Sequence, residues 1–165
     1  MPDTAAIAPA IVWFRDDLRL ADHPALTRAA KSGAPLVCVY VLDDLNPDIR
    51  TLGGAARWWL HRALQALDAA LAGQGGSLLL LRGDETRAIA GLAEALGAGA
   101  VYWNRRYALA QRTVDAGLKA SLRQRGLTVE SAGGSLLFEP WEVQTGSGGP
   151  FRVYTPFWRA ACKLG

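Results

Sequence analysis

The chain has few of the residues that build metal, redox and disulfide sites. It contains two cysteines and two histidines in 165 residues, and Cys38 and Cys162 form no CxxC pair. This spacing favours reduced thiols and argues against both a zinc site and a disulfide framework. No Ser/His/Asp group, Cys/His group or carboxylate pair has a supporting context. We therefore predict no catalytic residue and no metal ligand in this chain.

Strong charge and long apolar runs are absent as well. The formal charge is +3 at pH 7, too small an excess to indicate nucleic-acid binding by itself. The longest apolar runs, Leu36–Leu42 and Leu78–Leu81, are far shorter than the ~20 residues that span a bilayer. We expect a soluble, cytoplasmic and monomeric protein that makes no contact with membranes.

Two nucleotide-binding fingerprints are also missing. Gly97-Ala-Gly99 follows a predicted helix rather than a strand and lacks a third glycine, and no GxxxxGK[ST] sequence occurs. The sequence therefore disfavours a dinucleotide-binding Rossmann site and a P-loop.

What is present is a regular alternation of strand-sized and helical patterns. The predicted strands are Ile11–Phe14, Leu36–Leu42, Leu78–Leu81, Val101–Trp103 and Thr128–Ser131. The predicted helices are Pro24–Lys31 with Asp22 as its N-cap, a long helix opened by Gly53-Gly54, Asp84–Leu96, and Ala110–Arg125. This alternation predicts an α/β fold, a three-layer α/β/α domain with a five-stranded parallel sheet in the Rossmann-like order 3-2-1-4-5.

The remaining segment has a different character. It is glycine-rich up to Gly149 and then aromatic and basic from Phe151 to Arg159. Without a partner, these aromatic side chains would expose apolar surface. We therefore predict a core domain over residues 1–131 and the start of an interdomain linker over 132–165, with a further domain to follow.

Polar side chains follow three of the predicted strands. The carboxyl ends of strands one and four should lie side by side at the topological switch point, where open α/β sheets hold their ligands. Guanidinium and amide donors suit a flat heterocycle with carbonyl groups. The predicted contacts of a planar ligand are Arg15, Asp43, Asp44, Arg57, Asn104, Arg105 and Arg106.

Each of these patterns also has a structural interpretation. Asp17 and Arg19 can pair within their own cluster and pin the first turn to the sheet, and the segment from Asn104 can be a solvated basic loop. Trp58 and Trp59 are expected in a core or an interface, and His61 on an exposed helix face.

Four ordered motifs resemble the DNA photolyase and cryptochrome family. Trp13 to His23 is similar to the pattern Trp-Phe-Arg-x-Asp-Leu-Arg-Leu-x-Asp-Asn, with His23 in place of the usual Asn. The other three motifs are Gly53–Leu60, Trp103–Tyr107 and Gly148–Trp158. Together they cover nearly the whole chain.

The resemblance implies the N-terminal antenna domain of a blue-light-dependent enzyme that repairs pyrimidine dimers in DNA. FAD and the damaged DNA would then bind mainly through a helical C-terminal domain that is absent here, and this chain alone would be inactive. None of its six tryptophans would carry electrons. Ala108 replaces the family's folate-contacting Glu, so a deazaflavin or flavin antenna is favoured over folate.

Two alternatives stay open at this point. A cryptochrome-type photoreceptor shares this domain. A stand-alone nucleotide-binding module of the universal-stress type shares the layer architecture, although its glycine pattern is replaced here by Asn104-Arg-Arg-Tyr107.

Overall fold

The computed structural model describes residues 7–164, so the first six residues of the predicted core domain lie outside it. The strands are β1 (Ala10–Phe14), β2 (Leu36–Leu42), β3 (Leu78–Arg82), β4 (Ala100–Asn104) and β5 (Thr128–Ala132). The helices are α1 (Pro24–Lys31), α2 (Gly54–Ala72), α3 (Glu85–Leu96), α4 (Leu109–Gln124) and α5 (Tyr154–Ala161). All strand pairs are parallel and the order is β3-β2-β1-β4-β5, which confirms the predicted sheet.

The sheet is buried on both faces by helices. Side chains alternate across a strand, so Ile11 and Trp13 of β1 join the core beneath α3 and α4. Val12 and Phe14 join the core beneath α1 and α2. All five residues of β1 are buried, as expected for the central strand of a parallel sheet.

The register of the sheet brings the carboxyl ends of β1, β2 and β4 together at the predicted switch point. Trp13 of β1 lies beside Val39 of β2 and Trp103 of β4. The next residue after β1 is therefore close to the ends of both neighbouring strands. β5 lies at one edge of the sheet, as predicted, and β3 at the other.

The start of α1 differs from the prediction. His23, not Asp22, is the N-cap, and its Nδ1 accepts the backbone N–H of Leu26 at 3.0 Å. Asp22 has a left-handed backbone conformation with φ of 50°. An N-cap residue needs an extended conformation, so Asp22 cannot serve as the cap although its side chain is well suited to it.

The aromatic pair of α2 also departs from one expectation. Trp58 and Trp59 are 60% and 71% exposed, so the prediction that they lie in the core of this chain is wrong. An interface role for the pair stays a prediction. His61 is exposed, as expected.

The structure divides after Gly134 into two compact units. The second unit, from Ser135 onward, holds α5, which the sequence reading missed because glycine and proline surround it. Pro156 falls in the first turn of α5, where a missing N–H costs little. Within this unit Tyr154 and Trp158 stack at 6.2 Å between ring centres. An apolar cavity of about 280 Å³ is lined by Leu136, Leu137, Phe138, Glu139, Pro140, Val143, Phe157 and Trp158.

Candidate functional site

A first polar cluster, the His23 network, consists of Asp17, His23 and Asn104. Asn104 ends β4 and is buried; its Oδ1 accepts the backbone N–H of Ala25 at 3.0 Å, and its Nδ2 donates to Asp17 Oδ2 at 2.5 Å. His23 Nε2 lies 3.0 Å from the same carboxylate oxygen. Since His23 Nδ1 accepts the Leu26 N–H, the network assigns the ring proton to Nε2, which donates it to Asp17.

The carboxylate of Asp17 is held in its charged form. Burial by itself would raise the pKa of Asp17, but the hydrogen bond and charge of His23, with hydrogen bonds from the backbone N–H of Arg15 and from Asn104, lower it to about 2. The His23 network therefore joins the end of β4, the segment after β1 and the first turn of α1. Arg19 takes no part in it and instead donates to the backbone oxygens of Asp22 and Gly134 at 2.8 and 2.7 Å.

A second polar group, the arginine cluster, consists of Arg15 and Arg106 with the carboxylates Glu85 and Asp115. Arg106 makes a two-pronged contact with Glu85, at 2.5 and 3.1 Å. Asp115 Oδ1 accepts from Arg15 Nη1 at 2.6 Å and from Arg106 Nη2 at 2.7 Å. Arg15 Nη2 also donates to the backbone oxygen of Asn104. Arg15 and Asn104 thus lie together, as expected for residues at the neighbouring carboxyl ends of strands one and four.

The arginine cluster lies against aromatic rings. The guanidinium carbons of Arg15 and Arg106 are 4.5 and 5.4 Å from the ring centre of Trp13, within the range of a cation–π contact. Trp13 in turn packs edge-on against Trp103 at 5.8 Å. Two cations thus share an environment of low polarity.

The two arginines respond differently to this environment. Burial, together with the charge of Arg106, lowers the pKa of Arg15 from its usual value. Burial would also lower the pKa of Arg106, but the hydrogen bond and charge of Glu85, with the charge of Asp115, raise it. The cluster is therefore anchored chiefly through Arg106.

Three N–H donors in this region are buried and have no partner among residues 7–164: Trp13 Nε1, Arg15 Nε and Arg106 Nε. Buried donors are nearly always satisfied in folded proteins, and an unsatisfied one costs about 1–3 kcal/mol. All three atoms are closed off from solvent, so they belong to the interior of the arginine cluster and not to an open surface.

A cleft opens beside the arginine cluster, at the carboxyl ends of β1 and β2, with a volume of about 140 Å³. Burial and the charges of Asp16 and Glu85 raise the pKa of its Tyr40 to about 12, so the phenol is a neutral donor at pH 7. The cleft is lined by Arg15, Asp16, Tyr40, Val41, Leu42, Asp43, Ile49, Arg50, Leu52, Glu85, Arg106 and Gln111.

Three of the seven predicted ligand contacts, Arg15, Asp43 and Arg106, line this cleft. Asp43 also accepts the backbone N–H groups of Leu45 and Asn46 at 2.9 and 3.0 Å and so shapes the loop after β2. Asn104 lies behind the cleft, in the His23 network.

The other three predicted contacts lie outside the lining. Asp44 pairs with Arg82 at 2.6 Å. Arg57 donates to the backbone oxygen of Leu52 at 3.0 Å. Arg105, whose backbone N–H donates to Ala132 at 2.7 Å, is half-buried.

Sequence reasoning missed Tyr40, Glu85, Gln111 and Asp115 as parts of this region. Glu85 could have been found, because it opens the helix that follows β3 and so lies near the carboxyl edge of the sheet. Asp115 lies in the middle of α4, 100 residues after Arg15, and its pairing carries no local signal.

Two further features bear on the kind of site. Over residues 7–164, no group of three or more His, Cys, Asp or Glu is arranged to hold a metal ion. In the same part of the chain, none of the helices combines the length and hydropathy needed to cross a bilayer.

Fold and cleft together define an α/β domain with a ligand-type cleft at the switch point of a parallel sheet. The model of the DNA photolyase family matches residues 10–165, and the chain belongs to that family. This membership decides against the universal-stress-type alternative.

Individual relatives and solved structures of the same family are similar to this chain over nearly its whole length. The chain is 50% identical over 153 residues to a deoxyribodipyrimidine photo-lyase of Agrobacterium fabrum, covering 93% of this chain and 31% of the relative. It is 34% identical to cryptochrome-1 of Arabidopsis thaliana, over 93% of this chain and 23% of that protein. A crystal structure of a bacterial class III photolyase from Agrobacterium tumefaciens matches with a TM-score of 0.89 and 48% identity, covering 98% of this chain and 33% of that one. The chain thus spans about a third of the length of the photolyase relatives it matches.

Proposed function

We propose that the cleft binds a planar antenna chromophore and that the chain is the light-harvesting domain of a deoxyribodipyrimidine photo-lyase. The observation that carries this proposal is the place of the cleft, at the carboxyl ends of β1 and β2 with Arg15 and Arg106 in its lining. Open α/β sheets hold their ligands at this point, and guanidinium groups suit the carbonyl groups of a flat heterocycle.

The remaining cleft residues fit a neutral heterocycle. The hydroxyl of Tyr40 and the amide of Gln111 offer donors, and the carboxylates of Asp16 and Asp43 offer acceptors for ring N–H groups. Glu85 and Asp115 already balance the charges of Arg15 and Arg106. The cleft therefore favours a ring that carries both carbonyl and N–H groups, without needing an anionic group.

The size of the cleft limits how much of such a ring it can enclose. Its volume of about 140 Å³ is below the roughly 300–1,000 Å³ of most ligand pockets. We infer that it holds one edge of the ring, and that a further wall comes from the part found in the longer relatives. Deazaflavin or flavin is favoured over folate, because Ala108 at the start of α4 provides no carboxylate.

When bound, an antenna chromophore absorbs light and passes the excitation to FAD. In the intact protein, FAD and damaged DNA would be held by a C-terminal domain that follows this one. The role of this chain is to hold and orient the ring. Accordingly, we expect the purified chain alone to retain no FAD and to show no dimer repair under illumination.

The test is to titrate the chain separately with a deazaflavin, a flavin and a folate. The Kd of each is measured from the change in chromophore fluorescence on binding. Gln111→Ala and Tyr40→Phe each remove one donor from the cleft, and we expect each to raise Kd about tenfold. Arg57→Ala is the matched control, because Arg57 is exposed and lies outside the cleft lining. Binding that Arg57→Ala weakens and the cleft variants do not would place the chromophore elsewhere.

A cryptochrome-type photoreceptor is the second candidate, favoured by the identity with the Arabidopsis cryptochrome. The two candidates share the antenna cleft and differ in what the intact protein does with the absorbed energy. Repair of pyrimidine dimers by the intact, illuminated protein would decide for the photo-lyase, and its absence with FAD bound would decide for the photoreceptor.

A further inference from the structure

Asp115 lies outside the lining of the cleft, yet it contacts both arginines of that lining. It comes from the middle of α4, and its side chain is 13% exposed. Its Oδ1 accepts from Arg15 Nη1 at 2.6 Å and from Arg106 Nη2 at 2.7 Å. One carboxylate oxygen therefore sets the spacing of two side chains that line the cleft.

The two arginines depend on Asp115 to different degrees. Arg106 has a second carboxylate, because Glu85 accepts from both of its Nη atoms at 3.1 and 2.5 Å. In the part of the chain that the structure describes, the other acceptor of the Arg15 side chain is the backbone oxygen of Asn104. Since both guanidinium groups contact the same oxygen, removal of Asp115 would leave two like charges close together. Arg15, with one neutral acceptor left, would be displaced the more.

α4 also reaches the cleft directly. Gln111 lines the cleft and precedes Asp115 by four residues, so the two side chains lie on the same face of α4. α4 therefore supplies one polar group of the cleft itself and holds the two guanidinium groups through Asp115. Three of the groups that can contact a ligand are thus placed by one helix.

We propose that Asp115 is a positioning residue for the chromophore. It does not touch the ring. It holds the guanidinium groups of Arg15 and Arg106 at the spacing in which both can donate to carbonyl groups of the ring. This role rests on the proposed function of the cleft and adds that affinity and ring orientation depend on a side chain outside the lining. Orientation matters for an antenna as well as affinity, because the excitation must pass to FAD.

The direct test is Asp115→Asn, titrated with the deazaflavin, flavin or folate that binds the unaltered chain. The amide cannot balance the two arginine charges, so Kd should rise about tenfold and the absorption band of the bound ring should shift. Glu94→Gln is the matched control. Glu94 also pairs with an arginine, Arg125 at 3.7 Å, but it is 80% exposed and lies outside the lining, so Kd and band should stay unchanged.

A second control separates positioning from stability. Leu71 is buried near the end of α2 and lies outside the lining. Leu71→Ala therefore destabilises the fold by a core cavity and should leave the absorption band of the bound ring in place. Equal effects of Leu71→Ala and Asp115→Asn on Kd and on the band would overturn the proposal.

Asp115→Glu is the second variant and replaces Asp115→Asn if that chain does not fold. It keeps the charge and moves the carboxylate by one methylene group, so the band should shift with a smaller rise in Kd. A ring that binds the Asp115 variants with unaltered Kd and unaltered band overturns the proposal and leaves the function of the cleft standing. If none of the three chromophores binds the unaltered chain, the proposed function fails, and the role of Asp115 fails with it.

Discussion

The His23 network and the arginine cluster lie at the same edge of one sheet, on opposite faces, and they are built differently. The network has one carboxylate, Asp17, and its three side chains are matched with one another and with the start of α1. The cluster has two cations and two carboxylates, and three of these four residues line the cleft. The network is closed within the fold, whereas the cluster forms part of the wall of a cleft.

This difference separates structural from binding roles among residues that look alike in sequence. Asn104 ends β4 and Arg15 directly follows β1 at the switch point, and both were predicted as ligand contacts. Both polar atoms of the Asn104 side chain are hydrogen-bonded within the fold, to Ala25 and Asp17. We therefore infer that Asn104 supports the fold. Arg15 lines the cleft, so it can contact a ligand as well as support the fold.

The largest effect is expected in the arginine cluster, from Asp115→Asn. The amide keeps the size of Asp115 but removes the one charge that both arginines contact. Breaking a buried ion pair from one side costs about 3–5 kcal/mol, because the charge of Arg15 is left uncompensated while Arg106 keeps its contact with Glu85. Urea unfolding at pH 7 measures this cost.

The double variant Arg15→Met with Asp115→Leu is the control for that prediction. Replacing paired charges by apolar groups of similar volume is often neutral or stabilising. The double variant should therefore recover part of the stability that Asp115→Asn loses. Equal losses in both would mean that packing, rather than charge, makes Asp115 important.

A smaller effect is expected in the His23 network, from Gly134→Ala. A Cβ at Gly134 would lie 2.6 Å from Asn104 Nδ2 and 2.9 Å from Asn104 Cβ. Asn104 cannot move aside without losing its bonds to Ala25 and Asp17. We expect a loss of about 2–3 kcal/mol, as for overpacking in a core.

A double-mutant cycle with Asn104→Ala isolates that contact. Shortening Asn104 frees the space, so Gly134→Ala should cost much less in the Asn104→Ala background, with a coupling of about 1–2 kcal/mol. Additive costs would show that Gly134 is constrained by its backbone instead of by Asn104.

The layers of the fold were predictable because they follow from local patterns. Strands such as Leu36–Leu42 are continuous apolar runs. α3 ends at Leu96 as predicted, with Gly97 as C-cap, and begins one residue after the predicted start, with Asp84 as N-cap. The start of α1 was mispredicted because Asp22 has a suitable side chain but an unsuitable backbone conformation. Side-chain preference carries no information about that conformation.

The site was predictable only in part, for a related reason. Residues that directly follow strands, such as Arg15, can be placed at the switch point from topology alone. Their partners cannot, because Asp115 comes from the middle of a helix, and so does Gln111 of the cleft. Whether a strand-end residue serves the fold or a ligand depends on such distant partners.

The smallest effect concerns the charge of Asp17, and pH makes it visible. The pKa of Asp17 is lowered from 3.8 to about 2, so its contribution to stability is present above pH 4 and is lost as pH falls through about 2. A shift of this size corresponds to about 2 kcal/mol. The stability difference between the unaltered chain and Asp17→Asn should therefore be constant from pH 7 to about 4 and should shrink below it.

Asp84→Asn is the control: Asn caps helices as well as Asp, so α3 should keep its N-cap bond with a change below about 0.5 kcal/mol. A pH-independent difference for Asp17→Asn would mean that hydrogen-bond geometry, and not charge, makes the network complete.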